Sequence, residues 1–293
     1  MTSIRSAVRS ALLSIAAVPA MAQMQFPVLS SKVIEQRLQS YQGDDLQRER
    51  TLKGFYQSAG CTAERLSEQP VKGLQQPNVI CVLPGRTDST IVIGAHFDHI
   101  RRGDGVVDNW SGASMLPSLY QGLKTQPRQH TFIFVNFAGE EQVLVGSGFF
   151  VKHLSREQVD RIEAMVNLDT LGLGPTEVWV SRSDKNLVRA LNGVAQALHL
   201  PLSGMNVDAV GESDEESFVD RKIPVVTIHS LTQDTVAILH TAKDKYDQIH
   251  FNDYFNSYRL LSAYLVFLDQ NWDAQKSVAA EKSAQRRGAP RPQ

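Results

Sequence analysis

Short apolar runs alternate along the chain with longer stretches in which apolar side chains recur every three or four residues. Two runs, TIVIGA at 90–95 and TFIFVNF at 131–137, are largely apolar, which is typical of strands buried on both faces of a sheet. Further strands are predicted at 78–83, 163–168, 177–180 and 224–228. Helical periodicity predicts helices between Pro27 and Gly60 and at 110–124, 145–154, 156–162, 185–200 and 253–272.

Strands that alternate with helices form sheets whose strands run mostly parallel, with helices packed on both faces. The sequence therefore predicts an α/β fold, a single domain with a central mixed, mostly parallel sheet flanked by helices on both faces. The 293 residues are 42% hydrophobic and 21% charged, which is enough apolar material for a sizeable core. In such sheets the chemistry lies beyond the carboxyl ends of the strands.

The first 22 residues have the composition of an export signal. Two arginines precede an apolar run at 11–18, and Ala20-Met21-Ala22 fits the small-x-small pattern of a cleavage site. A short membrane anchor is the alternative, but this run is far shorter than the roughly 20 residues that a bilayer core requires. We therefore expect cleavage after Ala22 and a periplasmic or secreted protein that begins at Gln23.

The central part of the chain is more acidic than the whole chain, because both ends are basic. Residues 274–293 are rich in basic side chains and almost free of large apolar ones, which predicts a flexible basic tail, either freely solvated or touching an anionic surface. Residues 23–273, the predicted catalytic domain, have 23 basic and 30 acidic side chains and a net charge of −7. A net-acidic body argues against a nucleic-acid partner. No stretch after the signal predicts stable membrane insertion.

The chain has two cysteines, Cys61 and Cys81, each beside a short strand-like run, at 61–66 and 78–83. In an exported protein a pair of cysteines is more often bridged than free. Adjacent antiparallel strands would bring the two together. We therefore expect a disulfide, and two buried free thiols are the alternative.

Acidic residues and histidines follow three of the predicted strands. His96 and Asp98 follow one, Glu140-Glu141 another and Asp169 a third, while Asp108 and His240 lie in loops that can return to the same edge. Each alone is compatible with a core histidine, a helix cap or exposed loop charge. Together, imidazoles and carboxylates at one sheet edge are the ligand types that zinc prefers. Because there are more ligands than one ion needs, two ions with a carboxylate or a water between them are expected.

Five segments of the sequence carry a resemblance to a known family. In chain order they are HFDH (96–99), VVDNWSGAS (106–114), AGEEQVLVGSGFF (138–150), NLDTLG (167–172) and LHTAKD (239–244). This ordered set resembles the motifs of the co-catalytic di-zinc aminopeptidases, such as the bacterial leucyl aminopeptidases, and covers about residues 78–269. Relatives include glutamate carboxypeptidase and glutaminyl cyclase. The resemblance implies two zinc ions per chain and hydrolysis of the N-terminal peptide bond of peptides with a free N-terminus.

The resemblance also implies a role for each residue of the motifs. The implied metal ligands are Asp108 as the bridge between both ions, His96 and Asp169 in the first site, and Glu141 and His240 in the second. Glu140 is implied to bind no metal and to act as the general base, which takes a proton from water and passes it to the leaving amine. Asp98 is implied to accept a hydrogen bond from the far ring nitrogen of His96.

One segment departs from the family pattern. Relatives often carry Ser-Asp-His where this chain has SDE at 213–215, so Glu215 stands in place of the histidine. Because this loop shapes the substrate pocket in the family, Glu215 and Glu216 give the hypothesis of a preference for basic substrates. Exposed acids at a helix start are the alternative. His229, at a strand end, is a further candidate for the pocket wall, and the short segment between Asp98 and Asp108 predicts an open site.

Two other functions stay open at the level of the sequence. A glutaminyl cyclase has a similar acid set, but it closes the ring of an N-terminal glutamine and usually holds one zinc ion. A binding module that has lost catalysis is disfavoured by the complete ligand set. The preferred N-terminal residue and the oligomeric state do not follow from the sequence.

Overall fold

The computed structural model describes residues 25–41, 43–208 and 211–288, with the backbone alone described for 273–288. The predicted signal peptide, residues 1–22, lies outside the described residues. The strands are β1 (Leu66–Gln69), β2 (Asn78–Leu83), β3 (Thr90–His96), β4 (Thr131–Phe137), β5 (Ile162–Leu168), β6 (Thr176–Val178), β7 (Leu202–Gly204) and β8 (Val225–His229). The helices are α1 (Ser31–Gln39), α2 (Asp45–Ser58), α3 (Ser111–Leu123), α4 (Val145–Lys152), α5 (Arg156–Arg161), α6 (Lys185–Leu198), α7 (Glu216–Val219) and α8 (Phe251–Gly288).

The strands form one mixed sheet in the order β1-β2-β4-β3-β5-β8-β6-β7. The four central strands, β4, β3, β5 and β8, run parallel to one another, whereas β2 and β6 join them antiparallel. This confirms the predicted α/β fold with a mixed, mostly parallel sheet. Because the central strands point the same way, the residues that follow each of them emerge at one edge of the sheet.

Helices cover both faces of the sheet, as predicted. Alternate residues of β3 point to opposite faces of the sheet. Ile91 and Ile93 lie in one core, with residues of α1, α2, α3, α6 and α8. Val92 lies in a second core, with residues of α4 and α7. The period of two in a strand separates these side chains. Both cores consist of residues that are almost fully buried.

Several predicted boundaries were wrong at the edges of the fold. The strand predicted at 177–180 ends at Val178, and a 3-10 turn follows at Val180–Arg182. The edge strands β1 and β7 were missed because the sequences LSEQ and LSG lack an apolar pattern. The strand-like run at 61–66 forms mainly a turn that leads into β1.

Helix α3 begins at Ser111, one residue later than predicted, and a side chain before it caps its first turn. The side-chain oxygen of Asn109 accepts a hydrogen bond from the backbone N–H of Gly112 at 2.9 Å, so Asn109 satisfies a free amide of the first turn. Ser111 instead donates to the carbonyl of Val107 at 2.7 Å. Pro117 lies inside the helix.

The last helix is longer than predicted. It does not end at Trp272 but continues to Gly288, so most of the segment predicted as a flexible tail has helical backbone. The prediction considered only the scarcity of apolar residues, whereas the alanines, glutamines and lysines of this segment favour helix intrinsically. Within the described part of the chain, no helix combines the length and apolarity needed to cross a bilayer.

The expected disulfide between Cys61 and Cys81 is present, with an S–S distance of 1.99 Å. Strands β1 and β2 pair antiparallel, with Leu66 opposite Cys81, which brings the segment after α2 beside β2. Both cysteines are buried. The bridge therefore fixes the end of α2 to the sheet.

Candidate metal centre and active site

Three of the predicted site residues meet at the carboxyl ends of β3, β4 and β5. The Nε2 atom of His96 lies 3.6 Å from Oδ1 of Asp169 and 3.9 Å from Oε2 of Glu140. The same nitrogen is 3.2 Å from Oδ1 of Asp108. His96 is almost fully buried, so its Nε2 has little contact with solvent.

A second group forms around His240, in the loop between β8 and α8. Its Nε2 lies 3.0 Å from Oε2 of Glu141 and 3.1 Å from Oδ2 of Asp108. The two oxygens of Asp108 therefore face different histidines, His96 and His240, as a bridging carboxylate requires. The structure brings all five residues predicted as metal ligands together.

The Asp108 backbone is held by a second acid that the sequence did not single out. Asp244, in the same loop as His240, accepts hydrogen bonds from the backbone N–H groups of Val107 at 2.7 Å and Asp108 at 3.1 Å. Asp108 and the following residue have non-helical φ and ψ within an otherwise helical turn. Asp244 thus fixes the position of the carboxylate shared by both groups.

Asp98 contacts more atoms than the expected one. The far ring nitrogen of His96, Nδ1, hydrogen-bonds to the backbone carbonyl of Asp98 at 3.2 Å, while the Asp98 carboxylate is 3.7 Å away from it. That carboxylate instead accepts from the backbone N–H groups of Glu140 at 3.0 Å and Glu141 at 3.2 Å. Asp98 therefore orients His96 through its backbone and both glutamates through its side chain.

Asp169 has a buried hydrogen-bond chain behind it that the sequence did not predict. The hydroxyl of Ser213 donates to Oδ2 of Asp169 at 2.6 Å, and Nδ2 of Asn167 donates to Ser213 at 2.9 Å. The same amide nitrogen lies 3.1 Å from Oε2 of Glu215. Apolar periodicity along β5 gives no sign of this role for Asn167.

Glu215 and Glu216 belong to the segment that departs from the family pattern, and neither faces the cleft. Glu215 is fully buried, which contradicts the alternative of exposed acids at a helix start. Glu216 is half-buried and pairs with Arg182. Neither lines the cleft, so the structure gives no basis for the hypothesis that they select basic substrates.

Arg48 forms hydrogen bonds to the loop between His96 and Asp108. Its guanidinium donates to the carbonyls of Phe97 and Gly105, each at 3.1 Å, and to that of Asp104. Arg48 is fully buried although it lies on α2, about 50 residues from the loop. A charged side chain in this position satisfies backbone carbonyls of an irregular loop, and only the Gly105 carbonyl has a further backbone donor among the described bonds, the N–H of Trp110 at 3.1 Å.

Burial controls protonation in the site. It raises the pKa of Glu140 well above its ordinary value, and the Asp214 carboxylate adds to the rise. Burial also raises the pKa of Asp214 to about 7. A hydrogen bond to Asp108, and then one to Glu141, raises the pKa of His240 to about 10. Of these groups His240 is a predicted metal ligand, and a bound cation would displace its proton because only the neutral imidazole binds metal.

The chemistry of these residues fits zinc. Imidazole nitrogens and carboxylate oxygens are its usual protein ligands, and here they form two groups whose members lie within 4.8 Å of one another. Oδ1 of Asp169 and Oε1 of Glu141 are buried, and no group in the described part of the chain donates a hydrogen bond to them. Buried carboxylate oxygens without donors are costly unless a cation neutralises them.

A cleft of about 270 Å³ lies over the two groups. Trp179, Val207, Leu231 and Leu239 line one end of it, and all four are buried in a small apolar cluster. The cleft is open at His240, whose side chain is 46% exposed. This agrees with the open site expected from the short preceding loop.

His229 lines the cleft, as the sequence suggested, but it is not available as a ligand. Its Nε2 donates to the carbonyl of Met205 at 3.0 Å, and its Nδ1 accepts from the N–H of Leu231 at 3.0 Å. These partners require the neutral ring, and burial lowers the pKa of His229 to about 4. Its role is to shape the wall of the apolar end.

Comparison with known proteins places the chain in a family. The sequence profile of peptidase family M28 matches residues 78–265, which is more than half of the chain. The chain belongs to peptidase family M28. This match confirms the resemblance drawn from the five motifs.

Curated relatives in the family include aminopeptidase YwaD of Bacillus subtilis, 26% identical over 191 residues, which cover 62% of this chain and 41% of that protein. Leupeptin-inactivating enzyme 1 of Streptomyces exfoliatus is 26% identical over 178 residues, covering 59% of this chain and 40% of that protein. The chain therefore spans about two-fifths of the length of these relatives.

Solved structures share the fold. The LapA aminopeptidase of Legionella pneumophila has a TM-score of 0.71 at 22% identity, covering 82% of this chain and 72% of that chain. A glutaminyl cyclase from an Acidobacteriales bacterium also has a TM-score of 0.71, at 19% identity, covering 86% of this chain and 99% of that chain. At this identity the likeness confirms the α/β fold and leaves peptidase and cyclase to be separated by experiment.

Proposed function

We propose that the chain is an exported zinc aminopeptidase that holds two zinc ions and removes the N-terminal residue of peptides. The observation that carries the proposal is the position of Asp108, whose two oxygens lie 3.2 Å and 3.1 Å from the Nε2 atoms of His96 and His240. Such an arrangement suits a carboxylate shared by two ions. Family membership and the aminopeptidases among the relatives support the same reaction.

Zinc, Glu140 and Asp98 have separate roles in the proposed reaction. When bound, zinc supplies Lewis-acid activation of a water molecule and of the scissile carbonyl. Glu140 is the general base, since it lines the cleft and its Oε2 lies 3.9 Å from Nε2 of His96, where it can take a proton and return it to the leaving amine. Asp98 holds the Glu140 backbone N–H at 3.0 Å and keeps the base directed into the cleft.

The cleft indicates which substrates the enzyme would accept. Its enclosed end is lined by Trp179, Val207, Leu231 and Leu239, which would favour an apolar N-terminal side chain such as leucine, methionine or phenylalanine. The carboxylates Glu140 and Asp169 beside it would attract a positively charged α-amine. We therefore expect peptides with a free N-terminus to be the substrates.

The proposal is tested with zinc-loaded protein and a panel of peptides that differ only in the first residue. We expect release of leucine, methionine and phenylalanine, no release from the acetylated peptides, and close to two zinc ions per chain by elemental analysis. Glu140→Gln keeps the shape of the side chain but removes the base, so kcat should fall at least about 100-fold with zinc content unchanged. The matched control is Glu157→Gln, because Glu157 is an exposed residue of α5 that pairs with Arg161.

The outcomes separate the competing functions. Ring closure of an N-terminal glutamine, with about one zinc ion per chain and no peptide cleavage, would establish a cyclase. Zinc-replete, folded protein with neither activity would indicate a binding module. Equal loss of activity in Glu140→Gln and Glu157→Gln would contradict the role given to Glu140.

Export is the second part of the proposal. The disulfide between Cys61 and Cys81 supports it, since such bridges persist in oxidising compartments. Expression of the full chain in a bacterium that exports proteins should give a periplasmic or secreted product whose mass corresponds to a start at Gln23. A cytoplasmic product that retains residues 1–22 would refute export and leave the enzymatic proposal intact.

A further inference from the structure

Val143 combines two features that the catalytic arrangement does not explain. It is 86% exposed, the highest value among the large hydrophobic residues of the described chain, and it lines the cleft. Its backbone is left-handed, with φ of 69°. Because the side chain is exposed, packing within the fold does not account for a valine here.

Left-handed backbone is concentrated around this cleft. Among the described residues, six other than glycine have positive φ, and four of them line the cleft: Val143, Leu144, Thr170 and His240. A β-branched residue is particularly unfavourable in this region, where glycine or asparagine fits easily. Strain of this kind persists where the surrounding structure imposes it, and it is commonly found at functional sites.

A short turn fixes the position of Val143 relative to the general base. The N–H of Leu144 donates to the carbonyl of Glu140 at 2.9 Å, and the N–H of Val145 donates to that of Gly139 at 3.0 Å. Val143 lies within this closed turn, three residues after Glu140. The turn that carries the base therefore also carries this exposed apolar side chain into the lining of the cleft.

The path of a peptide through the cleft identifies what meets this rim. The N-terminal side chain occupies the enclosed apolar end, so the rest of the peptide must leave towards solvent. Glu140 passes its proton to the leaving amine, which is the nitrogen of the second residue. In this path the second residue would pass Glu140, and Val143, three residues further along the chain, is the strongly exposed apolar side chain of the same cleft lining.

We propose that Val143 forms an apolar subsite for the second residue of the substrate, so that the enzyme prefers a large apolar residue after the scissile bond. This inference rests on the proposed aminopeptidase activity. The preference should be modest, because one exposed side chain covers only part of the second residue. We expect kcat/KM to be about fivefold higher for a peptide that begins Leu-Leu than for one that begins Leu-Ser.

The test compares these two peptides, identical after the second residue, on four forms of the zinc-loaded protein: wild type, Val143→Gly, Val143→Asn and Val143→Ile. Glycine and asparagine tolerate left-handed backbone, so both variants should fold with a melting temperature at or above that of the wild type. The Leu-Leu to Leu-Ser ratio should fall to about one in both, while Val143→Ile should keep it. Val28→Gly, which removes an exposed valine outside the cleft lining, is the matched control and should also keep it.

Other outcomes have distinct meanings. An unchanged ratio in Val143→Gly and Val143→Asn overturns the subsite. An equal loss on both peptides also overturns it, since Val143 would then act only by supporting the turn that carries Glu140. Failure of the wild type to cleave either peptide, with zinc bound and the fold intact, refutes the aminopeptidase itself and the inference with it.

Discussion

Asp98 joins two ligand-bearing segments, so replacing it by asparagine should weaken the metal site while leaving the fold intact. Its carboxylate accepts hydrogen bonds from the N–H groups of Glu140 at 3.0 Å and Glu141 at 3.2 Å. Asparagine keeps the shape but offers one acceptor oxygen instead of two. One charge-assisted hydrogen bond, worth about 1.5–3 kcal/mol, is therefore lost. A loss of about 2 kcal/mol corresponds to an approximately 30-fold weaker zinc affinity in Asp98→Asn.

The assay is a zinc titration in competition with a chelator of known affinity, followed by kcat/KM on a leucine peptide. We expect Asp98→Asn to release zinc at about 30-fold lower chelator concentration and to lose activity in parallel. Asp88→Asn is the control, because Asp88 is exposed and faces Arg161 at 3.3 Å. If Asp98→Asn retained wild-type zinc affinity, the hydrogen bonds to the two glutamate amides would not be what positions Glu141.

Three further variants test other parts of the structure. Replacing Cys61 and Cys81 by alanine opens a loop with a sequence separation of 20, which should lower the free energy of unfolding in urea by about 3 kcal/mol; an unchanged midpoint would contradict this. Burial lowers the pKa of His229 to about 4. As the pH falls below about 6.5, the His229 ring is protonated in the unfolded chain but stays neutral in the folded one, so the folded state loses stability. Between pH 7.5 and 5, the free energy of unfolding of metal-free His229→Gln should therefore fall by about 2 kcal/mol less than that of the metal-free wild type. The same pH dependence in both proteins would refute the neutral ring. Ser213→Ala removes the donor to Asp169 and should weaken zinc binding about 10-fold in chelator competition, whereas wild-type affinity would show that the bond is dispensable.

The central strands could be predicted because burial on both faces leaves a simple signal. Every residue of β3 is buried, and its sequence is almost uniformly apolar. The edge strands β1 and β7 leave no such signal, since their residues are mostly exposed or half-buried. The end of α8 was missed for the opposite reason, because intrinsic helix preference extends it where burial gives no indication.

The candidate ligands could be predicted because topology, and not local sequence, brings them together. His96 ends β3 and Asp169 follows β5, and parallel neighbours place such residues at one edge. The residues that hold the ligands were harder to predict. Arg48 acts across 49 residues on the carbonyl of Phe97, and Asn167 across 46 on Ser213. No local pattern marks contacts of this range.

Two acids within the motifs accept hydrogen bonds from backbone amides of other motifs. In HFDH, the carboxylate of Asp98 holds the N–H groups of the two glutamates in the third motif. In LHTAKD, the carboxylate of Asp244 holds the N–H groups at the start of the second motif, including that of Asp108. Each of these two motifs therefore supplies one residue to the metal site and a second residue that positions a ligand from another motif.

The remaining links join these two pairs of motifs to each other and to the fourth. The amide of Asn109, in the second motif, donates to the carbonyl of Leu168 at 2.9 Å and accepts from the N–H of Thr170 at 3.2 Å. Arg48 binds the carbonyls of Phe97 and Gly105 and so connects the first motif to the residue that directly precedes the second. Because each link needs a residue type that its neighbour can recognise, the five segments depend on one another. This mutual dependence explains in physical terms why the ordered set identified the site when no single histidine or carboxylate could.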